Sequence, residues 1–521
     1  MRLIPLLLFL ALRAPDTFTV TGTVVDHLQN RPLNTILVTL TSTQDRKLTV
    51  STITAADGRF GFNNVPAGKY SLSAQRRGSS RPQLYHGDDQ YSTAIAVGPG
   101  LAAQNIMFPL EAPGSISGTV LDQSGEPVRG AQIWLFRKVV SGGRPQIQML
   151  AQHQADTSGA FHAGHLGPGT YFIAVSARPW YARNVPQIAS QSNPELDVAY
   201  PITYYGDTTD SASASPINLA EGGSASVQIN LRAVPAVHVD VGPDAPESHR
   251  RSSNLAAETL GGYVIPLPAN GIGVNGRQEL AGLAPGHYIL QTVAIDGSRG
   301  RAGPAARVDI TGNTTLPPGD LRATSLSGQV TFEAAAEQPV LQFSCGNKTF
   351  VGRVLKDGSF RVTAQQPLDG GHCEVALTNA PGFYIKSVAT SGGRSTTDTV
   401  DIVEGSDNRV MVVVAKGAIS ELSGVTVQDD KPFSSAMVLL LPEELTRASL
   451  IRRDQSDSDG TFTLPNVLPG RYTLLAIDNG KELAYRDPAV IQPYLSQSAA
   501  LEFPRRDNSP VKINVIARRA D

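Results

Sequence analysis

Nine histidines, two cysteines and one Asp-x-Asp-Gly run hold most of the chemistry open to this 521-residue sequence. A zinc hydrolase needs paired ligands such as His-x-x-Glu or His-Glu-x-x-His, because two donors must reach one ion from one side. No histidine here has Glu three places on. His86 and His153 have Asp at that offset, and His162 has His165. No Gly-x-Ser-x-Gly nucleophile turn occurs either. The reading is of no catalytic residue, no metal ligand set and no cofactor. His153, His162 and His165 gather around one turn, but no acid or thiol completes a set, so they read as surface histidines. In "RDQSDSDGTF", Asp457, Asp459 and Gly460 imitate part of a calcium loop. Gln455 and Asn466 stand where the first and the bidentate ligands belong, so a hairpin turn is the better reading.

Binding chemistry has one candidate. Trp180, Tyr181, Tyr200, Tyr204 and Tyr205 concentrate aromatic rings in one stretch. Such rings could stack on sugar faces if exposed, and could equally pack the segment 178–205 onto its own domain. The formal net charge of -2 and the scattered Lys and Arg residues give no electrostatic footprint for nucleic acid.

The elements that must carry these residues follow from a repeat. "DGRF", "SGAF", "DGSF" and "DGTF" end at Phe60, Phe161, Phe360 and Phe462; Gly58, Gly159, Gly358 and Gly460 supply the positive backbone angle of a tight hairpin. Ten residues after three of these phenylalanines, beyond a short turn, stand Tyr70, Tyr171 and Tyr472. A further copy keeps Tyr288 but has Gln278 in the Phe slot, and another keeps Phe360 but has Cys373 in the Tyr slot. After each Tyr the apolar residues alternate, as in a strand with one buried face. A Tyr opening such a strand can bury its ring and return its hydroxyl to nearby backbone. Upstream of each hairpin comes a first strand ("VTGTVVD", "ISGTVLD", "LSGQVTF", "LSGVTVQ") and then a Pro-led strand ("RPLNTILVTL", "EPVRGAQIWLF", "QPVLQFSC", "KPFSSAMVLLL"). Units of about a hundred residues with some seven short strands predict an all-β chain, a tandem array of about five Greek-key β-sandwich domains.

The expected division is a signal peptide at 1–15 and sandwiches at 16–112, 113–234 (with the aromatic-rich insertion), 235–322 (degenerate), 323–417 and 418–521. The leader rests on Arg2 followed by the apolar run Leu3 to Leu12, too short to span a bilayer. No later stretch reads as a transmembrane helix. Short linkers predict an elongated, partly stiff chain. Cys373 fills the corner slot, and Cys345 lies at the offset from its Pro that gives inward residues Val38, Ile133 and Val438 elsewhere. The expectation is an inter-sheet disulfide in repeat four, with two buried thiols as the alternative.

The series G-T-V-x-D, Pro-led strand, D-x-x-G-x-F and L-x-P-G-x-Y resembles the carboxypeptidase regulatory-like domain, and with it the B-type repeats of bacterial adhesins. The resemblance implies a transthyretin-like, Ig-like sandwich in a non-catalytic module of an exported bacterial protein. Its place would be the periplasm, the outer membrane or outside the cell. Partners would be envelope proteins, or polysaccharide if the starch-binding-like relatives are the guide. A more distant alternative is an accessory to a separately encoded peptidase or outer-membrane transporter. Adhesin repeats often carry a Lys–Asn cross-link, but the first strands here lack the Lys, so that chemistry is not transferred.

Overall fold

The computed structural model describes residues 16–519 apart from 80, 88–90, 102, 184–192, 243–249, 268–269, 275–276, 297–298, 317–323, 334–338, 347, 363–367, 369, 379, 381, 391–392, 418–419, 446, 506 and 508. The leader at 1–15 lies outside the described residues. The chain is almost wholly β, a tandem array of sandwiches.

Repeat one shows the plan. Its first strand, Thr17–Asp26, lies between the hairpin strand Arg59–Pro66 (antiparallel) and the closing strand Ile106–Leu110 (parallel). The facing sheet pairs the Pro-led strand Leu37–Ser42 with Thr49–Ile53 on one side and the Tyr strand Gly68–Gln75 on the other. Val20, Val24, Val38, Leu40, Phe60, Tyr70, Leu72 and Phe108 close the core between the sheets. Repeat two repeats this order, with Gly114–Leu121 between Ala160–Leu166 and Ser224–Asn230. Repeat four departs from it. There Lys348–Val354 pairs on its far side with Ser359–Val362, which joins both sheets into one eight-stranded sheet.

The Pro-led strand also decides what covers each sandwich. In repeat one it alternates: Val38 and Leu40 face the core, and Thr39 and Thr41 face outward. In repeat two the outward residues are Trp134 and Phe136, which join Tyr204 and the core of repeat three. In repeat five they are Met437, Leu439 and Leu441, roofed by Leu483, Tyr485, Ile491 and Tyr494 from a short helical segment. A strand buried on both faces must read as a continuous apolar run, and "IWLF" and "MVLLL" do. The helical segment was not anticipated, although Asp487 before Pro488 is a helix-start signal. The Asp487 carboxylate accepts from the Ala489 N–H at 2.9 Å.

The array is not extended, which corrects the expectation drawn from short linkers. Repeat five folds back onto repeat one. Lys69 Nζ lies 2.5 Å from Asp457 Oδ2, the Ser458 N–H donates to the Ala94 carbonyl at 2.9 Å, and Thr93 and Ser435 share a hydroxyl hydrogen bond of 2.8 Å. The long hairpin of repeat two, Gln132–Ser141 with Arg144–Gln154, reaches other repeats as well. Its Gly143 carbonyl accepts from the Arg486 N–H at 3.1 Å, and Arg144 pairs with Glu374. Linker length limits only the covalent tether; the polar and apolar faces of the sandwiches decide where they rest.

Candidate functional site

The recurrent residues are placed in turns and cores. Gly58, Gly159, Gly358 and Gly460 have φ between 72° and 80°, the left-handed region that a side chain rarely enters. Phe60, Phe161, Phe360 and Phe462 are buried. Each stands directly opposite a glycine of the first strand: Gly22, Gly118, Gly328 and Gly424. A Cβ on Gly22 would lie 2.6 Å from the Phe60 ring, and one on Gly118 would lie 2.7 Å from that of Phe161. The ring therefore fills the space that the glycine leaves, and the G of "GTV" and the F of "DGRF" are one contact. Repeat three confirms the coupling by losing both partners, since Val241 faces Gln278. Sequence reading found the Phe and missed its glycine, because the two lie on strands distant in the chain.

Tyr70, Tyr171, Tyr288 and Tyr472 are buried too. The hydroxyls of Tyr70 and Tyr171 donate to the carbonyls of Pro66 (3.0 Å) and Gly167 (2.6 Å), and that of Tyr288 to Ala284. Burial pushes the Tyr288 hydroxyl up to about 12. These rings are packed at the corners.

Cys345 and Cys373 are bonded to each other. They are opposite residues on neighbouring strands of one sheet, with Cα atoms 4.2 Å apart, so the expected inter-sheet bridge is corrected to a cross-strand one. The Pro-led strand and the Tyr strand, or its Cys373 counterpart, are neighbours in repeats one, two, four and five, as Val38 opposite Ala74 shows in repeat one. Inward positions on both are side by side.

The aromatic set divides. Tyr200 and Tyr204 are buried and present no ring face, and burial raises the Tyr204 hydroxyl to about 12. Tyr205 is half-buried against the core of repeat two. Trp180 is 87% exposed, and half-buried Tyr181 meets it edge-on at 5.8 Å while accepting from Gln123 Nε2. The five rings form no single platform.

The Asp-x-Asp-Gly run serves the repeat one contact. Asp457 binds Lys69 and the Ala94 N–H, and burial holds its carboxyl above the usual range despite Lys69. Asp459 accepts from its own turn, at Thr461. His162 shares a hydrogen bond of 2.9 Å with Ser117. Among the described residues, no group of three or more His, Cys, Asp or Glu is placed to hold a metal ion.

Residues 19–96 match the carboxypeptidase regulatory-like domain. No curated protein matches the chain. Similar solved structures include the minor pilin GBS52 of Streptococcus agalactiae, at 16% identity over 44% of this chain and 99% of that one, TM-score 0.22. The shaft pilin SpaA of Lactobacillus rhamnosus GG covers 42% and 98% at 10% identity, TM-score 0.20. The Bacillus anthracis TIE protein covers 97% and 75% at 12% identity, TM-score 0.16. At such values these likenesses carry no weight for function.

Outside the regulatory-like domain, the charged residues that sequence reading passed over lie at the junctions. His238 is buried, with Nε2 2.7 Å from Asp197 of repeat two and Nδ1 2.8 Å from Glu279 of its own repeat. Burial pushes the imidazole down, but the two carboxylates outweigh it, and His238 titrates above its ordinary value. Two carboxylates on two ring nitrogens require both to donate, which only imidazolium does. Glu258 binds Arg307 of its own repeat and Lys348 of repeat four, at 2.9 and 2.8 Å, and these cations hold it below the usual range against its burial. Glu374 gathers Arg144 of repeat two and Arg486 of repeat five.

Proposed function

We propose that this chain is an exported, non-catalytic structural and interaction protein, whose five sandwiches brace one another as a folded-back array. The observation that carries this is the fate of the chemistry-bearing residues. The recurrent Gly, Phe and Tyr residues fill turns and cores, while Asp457, His238, Glu258 and Glu374 each tie one repeat to another. The domain bounds are those drawn from the repeat, with 1–15 as the leader. The Cys345–Cys373 bond fits an oxidising compartment. No helix among the described residues is long and apolar enough to cross a membrane.

Limited proteolysis of 16–521 tests the bracing. A braced array resists cleavage between repeats under native conditions; release of separate units of about a hundred residues overturns it. One observation favours a second reading, a carbohydrate-binding protein: Trp180 is exposed with Tyr181 beside it. Saturable binding to a polysaccharide panel, lost in Trp180→Ala, would put that reading first.

A further inference from the structure

Repeat four carries a row of arginines. Its first strand, Ser325–Phe332, lies between the hairpin strand Ser359–Val362 and the closing strand Asp407–Lys416. Register sets Ser327 opposite Arg361 on one side and Arg409 on the other. It also sets Arg361 opposite Arg353 of Lys348–Val354. Arg409, Ser327, Arg361 and Arg353 thus line up across four strands on the outward face, and the three arginines are exposed. Neighbouring strands lie ~4.8 Å apart, so Arg353 and Arg361 stand one spacing apart and Arg361 and Arg409 two. The other repeats do not share this row. In repeats one, two and five the slot of Arg361 holds Gly61, His162 and Thr463, and in repeat two that of Arg409 holds Ser226.

Like charges directly opposed across two strands destabilise a sheet, and sequences keep such a cost where function requires it. Nothing among the described residues offsets it here: the side chains of Arg353, Arg361 and Arg409 enter no ion pair or hydrogen bond with them. The acids beside the row in sequence are engaged elsewhere. Asp357 accepts from the Ser359 N–H at 3.0 Å, and Asp407 accepts from the Ser325 hydroxyl. All three cations are arginine, whose planar fork binds a carboxylate through two parallel hydrogen bonds as lysine does not.

We propose that this row binds a linear acidic polysaccharide laid across the strands, with each arginine taking a carboxylate. The spacing of the row selects this occupant. A sugar ring advances such a polymer by a distance close to one strand spacing, so carboxylates on successive rings meet Arg353 and Arg361, and one two rings on meets Arg409. Ser327 stands between Arg361 and Arg409 with a hydroxyl for the ring between them. An extended acidic peptide repeats its same-side carboxylates every ~6.6 Å and falls out of step. Neither this row nor the next, Met411, Gln329, Ser359 and Leu355, has an aromatic ring on which a base could stack. The site is separate from Trp180 in repeat two. The proposal names a partner for the interaction role above and rests on that reading; a chain that binds no polyanion would still be a braced array.

Calorimetric titration of the purified chain with polygalacturonate tests it. Neutral dextran is one control. Vesicles of anionic phospholipid are the other, because Val351, Leu355 and Met411 are exposed around the row and would also suit a lipid surface. The expected result is saturable binding to polygalacturonate alone, weakened by salt. Arg361→Gln, at the centre of the row, should weaken binding by roughly tenfold or more. Arg361→Lys should restore only part of it, since the charge returns without the fork. Arg353→Glu should abolish binding yet melt no lower than the natural chain, because the new carboxylate faces Arg361 across the strands. No binding to polygalacturonate overturns the proposal. So does binding indifferent to Arg361→Gln, equal binding to dextran, or binding to the vesicles alone.

Discussion

The same sheet face has opposite characters in repeats one and two. On the Pro-led strand of repeat one the outward residues are Thr39 and Thr41, opposite Ser73 and Ser71 of the Tyr strand. Their hydroxyls also bond those of the edge strand, Thr39 to Ser51 at 2.9 Å and Thr49 to Thr41 at 3.2 Å. In repeat two the equivalent residues, Trp134 and Phe136, are buried in a core shared with repeat three. One fold thus makes a solvated face or an internal one by changing two or three side chains. The difference teaches that the repeats are not interchangeable beads. Their cores are alike, and their outward faces determine which neighbour each receives.

The largest effect should come from breaking the covered face. Phe136→Ala removes a fully buried ring and should cost about 3–5 kcal/mol. Hydrogen exchange should show the loss in repeats two and three together, since both share that core. Leu439→Ala, beneath the helical segment of repeat five, should cost about 2–5 kcal/mol and expose 480–497 to exchange first. The clamp on the covered face is pH-dependent. His238 has its folded pKa raised above 6.5, so its stabilisation is complete below that value and is lost as pH rises through the folded pKa. Protection factors around Asp197 and Glu279, corrected for the intrinsic pH dependence of exchange, should therefore fall on the alkaline side, and His238→Gln should flatten that fall. Repeat one is the control: Thr41→Ala, at the strand position of Phe136, should change stability by less than about 0.5 kcal/mol.

Much of this was legible in the residues. The spacing of Gly58, Phe60 and Tyr70 defines hairpin and corner, and its recurrence gives the sandwich and the number of units. The inward places of Cys345 and Cys373 were legible as well. Which sheet holds each strand was not, because a period of two tells inward from outward and says nothing about neighbours. Gly22 and Phe60 make one contact through register, which a single strand does not display. The fold-back was hidden because linker length describes a tether. The runs "IWLF" and "MVLLL", apolar on both faces as a solvated sheet would not be, signal instead the strands covered by repeat three and by the helical segment of repeat five. Of the candidate binding rings, Tyr200 and Tyr204 belong to cores, and aromatic content alone does not separate a stacking platform from packing.

The braced, folded-back array is most directly tested by trapping repeat one against repeat five. The Thr93 and Ser435 hydroxyl oxygens are 2.8 Å apart, close enough for a disulfide between cysteines at those positions. Purified monomer of Thr93→Cys/Ser435→Cys should form that bond within one chain, seen as a faster-migrating band and a linked peptide pair by mass spectrometry. Two free, reactive thiols in a folded monomer would contradict the account.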